Sequence, residues 1–263
     1  MSTTTSTKAE REGSLWGRRP RDWAESEERQ IPTYERALSR VEAGPGTRVL
    51  DLGCGAGTFL RLAGERGAEV SGLDASAGLI ELARERVPGA DLRVGDMGGL
   101  PFADDSFDLV TGFNSFFFAE DMVGALREAG RVARPGAPVV IQVWGAAERC
   151  ELLEIIAAVG PLRAEAPSGP GLSALAQPGR LEGLAEAADL RPDESFDHAY
   201  AFEFADADAF VRAMLGAGGV GEAVEHSGEA AVVDAIRGAA EPHRAANGSI
   251  RFENEWHYLI ARA

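Results

Sequence analysis

The chain has 263 residues, 45% hydrophobic and 26% charged, which is enough to bury a core without disulfides or metal. Its 42 acidic and 26 basic residues give a formal charge of −16, so a non-specific grip on nucleic acid or acidic lipid would act against the field of the whole protein. Two cysteines, Cys54 and Cys150, and four scattered histidines form neither a disulfide framework nor a metal set, and a reducing, cytoplasmic setting is expected.

Residues 1–21 are polar and read as a flexible N-terminal arm, with neither a signal peptide nor, anywhere in the chain, a membrane span. A single domain is expected over 22–263. Trp23, Glu27, Ile31, Tyr34, Leu38 and Val41 recur at three- and four-residue intervals and predict a helical cap over 22–46, while the charged run Glu25–Arg29 reads as a solvated face.

The period then shortens. Strands are predicted at 47–53, 69–74, 91–96, 107–113 and 137–144, with helices at 58–66, 76–86 and 121–134 between them. Alternation of short apolar strands with helices predicts an α/β fold with a mostly parallel, doubly wound sheet and a cofactor-binding core over 47–145. Residues 146–190 hold a stretch rich in proline and glycine and read as a lid insertion. A strand at 194–204, helices over 206–246 and a last strand at 249–263, antiparallel to the sheet, complete the chain.

The segment VLDLGCGAG (49–57) places Gly53, Gly55 and Gly57 between a buried strand and a helix, where a ligand can approach the backbone closely. An anionic ligand group is expected at that helix end. Asp74 ends the second strand, twenty-one residues after Gly53, where a carboxylate can accept from a ribose diol. Asp96 followed by Met97 suits the amino edge and the flat face of an adenine. Asp51, inside the first strand, can fix the loop or reach an amino group. Together these acids fit a nucleoside-containing cofactor, but Thr58 stands where the dinucleotide fingerprint needs its last glycine.

The glycine segment, SGLDAS (71–76), GDM (95–97) with LPFADDSFDLV (100–110), and LREAGRVARPGAPVVIQVW (126–144) resemble the class I S-adenosylmethionine-dependent methyltransferases, in particular the small-molecule branch grouped with the ubiquinone and menaquinone biosynthesis enzymes. The resemblance covers about residues 23–145. It implies a Rossmann-like seven-stranded sheet with an antiparallel last strand, and S-adenosyl-L-methionine as cofactor. It further implies that Gly53, Cys54, Gly55 and Gly57 cradle the amino-acid end of the cofactor and that Asp51 supports their loop. Asp74 would hold the ribose, Ala75, Asp96 and Met97 would flank the adenine, and main chain at Phe113 and Asn114 would face the methyl donor.

Trp16 and Trp23 are candidates to close the mouth of the site, and Phe117 to line the substrate wall. His198, His226 and His257 are candidate bases, although methyl transfer to a held nucleophile requires none. The expected partner is a small-molecule substrate. A nicotinamide-dependent oxidoreductase and a non-catalytic cofactor sensor or scaffold are the alternatives.

Overall fold

A computed structural model describes residues 7–164 and 171–263. The first six residues of the expected arm and residues 165–170 of the expected lid lie outside the described residues. Where the arm was expected to be loose, Lys8–Trp16 forms a helix, α1, started by a reciprocal capping box between Thr7 and Glu10 and burying Gly13 and Leu15. Polar composition concealed it, because so short a helix needs only one narrow contact stripe.

Helices α2 (Pro20–Glu27) and α3 (Ile31–Leu38) follow, each with proline in its first turn. Strand β1 (Arg48–Leu52) leads to α4 (Thr58–Glu65), β2 (Glu69–Asp74) to α5 (Ala77–Arg86), and β3 (Asp91–Val94) to β4 (Leu109–Phe113). Helix α6 (Met122–Val132) precedes β5 (Pro138–Trp144). Then come α7 (Leu152–Val159), α8 (Arg180–Ala187), β6 (Arg191–Phe204), α9 (Ala207–Leu215), α10 (Gly218–Ser227), α11 (Glu229–Ala240) and β7 (Ile250–Arg262).

The seven strands form one sheet in the order β3-β2-β1-β4-β5-β7-β6. Strands β1 to β5 pair in parallel, while β7 runs antiparallel to both β5 and β6. Strand order reverses between β1 and β4, which puts a crevice beyond their carboxyl ends. Two apolar layers cover the sheet. One gathers side chains of α3, α4, α5, α7 and α9 to α11 around Ile250, Phe252, Trp256, Tyr258 and Ile260, which share one face of β7. Full burial of Phe252 alone is worth roughly 1.5–3 kcal/mol.

The other layer is built by α6 and α8, with Leu126, Val132, Leu181 and Ala185 against Val139 and Ile141. Within 146–190, the segment expected as a lid, α7 joins the first layer and α8 the second, each burying an apolar stripe. No helix among the described residues is long and apolar enough to cross a membrane.

Candidate cofactor site

Strand β1 ends in a bend whose three glycines all have left-handed backbone, with φ of 75° at Gly53, 55° at Gly55 and 85° at Gly57. Close approach adds to that demand. A Cβ on Gly53 would sit 2.4 Å from the Cβ of Ser115 beyond β4, and one on Gly55 would sit 2.4 Å from Oε1 of Glu27.

Four amides of the bend are already committed. Gly53 and Cys54 donate to the carbonyl of Leu73, Gly57 to that of Cys54, and Gly55 to Oδ2 of Asp74 at 2.9 Å. These four amides therefore have no donor left for a ligand, and beside them the bend presents bare Cα atoms. Cys54 is buried, and burial pushes its thiol up, so it packs as an apolar residue.

Three acids converge here. Asp51 is 2% exposed and accepts from Oγ1 of Thr111 at 2.7 Å, and burial raises its carboxyl well above the usual range. Asp74 holds the amides of Gly55 and Ser76, one on each oxygen, yet burial still raises it. The third was not foreseen. Glu27, expected on a solvated face, is 3% exposed, and burial pushes its carboxyl up to about 7. Its Oε2 accepts from Oγ1 of Thr58 at 2.8 Å and from Nη1 of Arg86 at 3.3 Å. Arg86 also donates to the carbonyl of Ala24, so one guanidinium fastens α2 to the bend. The only sequence signal for Glu27 was its place in the helical repeat with Trp23 and Ile31.

Helices α1 and α2 roof the carboxyl ends of the strands. Gly13 lies so close to Ala75 that a Cβ would come within 2.1 Å of its carbonyl oxygen, and Nζ of Lys8 donates to the carbonyl of Ala119 at 2.9 Å. Trp16 meets Trp23 edge-on at 4.6 Å and Phe118 at 5.6 Å, and Phe118 meets Phe117 at 4.6 Å. Thus Trp16, Trp23 and Phe117 belong to one cluster, with Phe118 as the link. The site is closed over: Nε1 of Trp23 would stand 3.3 Å from a Cβ on Gly55. Two clefts of about 310 and 340 Å³ open elsewhere, lined by residues such as Arg48 and Glu69 or Thr47 and Asp108 at the amino ends of the strands.

The remaining candidates sort by distance from the bend. Gly95 donates to the carbonyl of Asp74, so Asp96 and Met97 follow directly beside it; Asp96 is exposed and accepts from the amide of Gly98. The ring of Phe113 packs between Tyr34 and Phe59, leaving only its main chain for the site. Asn114 turns out of β4 with φ of 50°, its amide donating to the carbonyl of Gln142. His257 is engaged by Asp197 at 2.7 Å and Ser195 at 3.4 Å, across the β6–β7 pairing.

Residues 50–141 match the family described as "Methyltransferase domain". The chain is 34% identical over 118 residues to a malonyl-[acyl-carrier protein] O-methyltransferase of Serratia marcescens, covering 45% of this chain and 46% of that protein. It is 40% identical over 104 residues to a demethylmenaquinone methyltransferase of Renibacterium salmoninarum, covering 40% and 44%. The chain therefore spans less than half the length of either relative. Among solved structures, the YcgJ protein of Bacillus subtilis superposes with a TM-score of 0.58 at 20% identity, over 88% of this chain and 98% of that one. The [4+2]-cyclase SpnF does so with 0.57 at 19%, over 88% and 79%. These likenesses fix the fold; residues 50–141 are similar to a methyltransferase domain, a family that implies S-adenosylmethionine as cofactor.

Proposed function

We propose that this chain, carrying a methyltransferase domain at residues 50–141, transfers the methyl group of S-adenosylmethionine to a small-molecule acceptor by in-line displacement. The observation that carries the proposal is the electrostatics of the bend. The amides of Gly53, Cys54, Gly55 and Gly57 are spent within the protein, and Asp51, Asp74 and Glu27 surround the bend, Glu27 paired with Arg86. These buried acids ionise most readily beside a cation, so such a place suits a sulfonium and an ammonium and is unfavourable for the pyrophosphate of a dinucleotide. That argues against the nicotinamide reading.

The residues fit the cofactor in kind. Gly53, Gly55 and Gly57 give the backbone close approach, and Asp74 keeps lone pairs for a ribose diol beyond the two amides it accepts. Ala75, Asp96 and Met97 follow along the same edge for the adenine. The cofactor supplies an activated methyl carbon. What the chain adds is position and dryness: Trp16, Trp23, Phe117 and Phe118 form an apolar cluster that reaches the bend through Trp23, and holding a nucleophile in line beside it can supply about 7–11 kcal/mol of the barrier. Because α1 and α2 cover the bend, loading requires them to shift.

Calorimetry with S-adenosylhomocysteine tests the reading. Binding is expected, with Asp74→Ala weakening it at least about tenfold, as for a hydrogen-bonded carboxylate, and NADH inert. Tight NADH binding without affinity for S-adenosylhomocysteine overturns it. A second reading has a specific support, since the cyclase SpnF shares the fold: cofactor binding with no methylated product from a broad metabolite extract favours a role other than methylation.

A further inference from the structure

A buried chain of hydrogen bonds runs from α3 through β7 and β5 to the end of β4, and its polarity is determined from one end. The hydroxyl of Tyr258 lies 2.9 Å from the carbonyl of Thr33, which can only accept, so the single hydroxyl proton points there. Burial raises the phenol of Tyr258, which keeps that proton in place. The oxygen of Tyr258 is then the acceptor for Gln142, which must present Nε2 to it, at 3.1 Å. Gln142 is fully buried, and its other end, Oε1, faces Nδ2 of Asn114 at 3.5 Å. Asn114 is thereby left with Oδ1 free, and this atom is buried without a partner. An unsatisfied buried acceptor is costly, so a ligand that donates to it recovers that cost on binding.

Asn114 adjoins Ser115, against which Gly53 is packed, so the orphan oxygen belongs to the end of the site where the amino-acid portion of the cofactor is placed in the reading above. Resting on that reading, we infer that Asn114 Oδ1 accepts from the ammonium group of the cofactor, and that Tyr258 and Gln142 are positioning residues that forbid the flipped amide. Flipping Asn114 would turn an NH2 toward a cation and leave two carbonyl oxygens, Gln142 Oε1 and Asn114 Oδ1, facing one another.

The test compares two probes by calorimetry, S-adenosylhomocysteine and 5′-methylthioadenosine, which lacks the amino-acid end. Asn114→Ala should weaken S-adenosylhomocysteine about tenfold or more, the usual size of a lost hydrogen bond to a charged group, and leave methylthioadenosine within about twofold. Tyr258→Phe keeps the ring stacked on Phe196 and frees the amides to flip; it should produce the same selective loss, about threefold to fivefold. Asn114→Asp, which presents an acceptor in either orientation, should restore S-adenosylhomocysteine binding in the Tyr258→Phe background. Equal losses for both probes would mean a merely structural role, and unchanged binding of S-adenosylhomocysteine in both single variants would place Asn114 away from the ammonium; either overturns the inference. If the wild-type protein binds neither probe, the cofactor reading itself has failed instead.

Discussion

Glu27 Oε2 accepts from Thr58 Oγ1 at 2.8 Å, tying the last residue of α2 to the first residue of the helix that leaves the glycine bend. The carboxylate is buried and pairs with one cation, Arg86, at 3.3 Å. Desolvation outweighs both contacts, which is why its carboxyl is pushed up to about 7. A group raised in the folded state stabilises fully below its unfolded value of 4.5, and that contribution is lost as the pH climbs through about 7. Glu27→Gln keeps an acceptor for Thr58 without the charge. Its stability relative to wild type should therefore rise between pH 5 and pH 8, by up to about 3 kcal/mol. Urea denaturation at the two pH values measures this, and a gap that stays constant or narrows refutes it.

Gly53 combines two constraints that can be separated. Gly46 has φ of 83° with nothing near its missing Cβ, whereas Gly53 has φ of 75° and Ser115 Cβ at 2.4 Å. Gly46→Ala should cost about 1 kcal/mol from backbone conformation alone. Gly53→Ala should cost that plus a further ~1–3 kcal/mol of overpacking, and should abolish binding of S-adenosylhomocysteine. Adding Ser115→Gly should return part of the stability. Thermal melts of the four proteins decide the matter; equal losses at Gly46 and Gly53 would show that the contact with Ser115 is easily relieved.

Much of this was legible in the sequence because backbone demands leave marks. The strand at 48–52 reads as a continuous apolar run, and the glycines at 53, 55 and 57 announce a bend that other residues cannot make. Asp74 was legible from its place at the end of β2. Glu27 was not, since a glutamate within a charged run looks solvated until Thr58 and Arg86, distant in sequence, are seen around it. Helix α1 escaped for a similar reason: its hold on the sheet is Gly13 against Ala75, a contact made by the absence of a side chain. The link among Asn114, Gln142 and Tyr258 was hidden because Gln142 sits inside an apolar strand and carries no local pattern of its own.

That contact makes Gly13 a handle on the roof. A methyl group there would come within 2.1 Å of the carbonyl oxygen of Ala75, and backbone at the end of a central strand cannot yield as a flexible side chain can. Gly13→Ala must therefore lift α1, at a cost of about 1–3 kcal/mol in overpacking, and with it Trp16, which meets Trp23 and Phe118. If the cofactor passes beneath α1, the variant should bind S-adenosylhomocysteine with an association rate at least ~3-fold faster, because less of the closed state must be undone first, and should release it faster as well. Trypsin should cut earlier at Arg11 and Arg18, confirming that the helix has moved. Stopped-flow tryptophan fluorescence reads the rate through Trp16 and Trp23. Accelerated cleavage with an unchanged association rate would show that the cofactor reaches the bend by another way, and α1 would then be a wall of the substrate chamber and not its door.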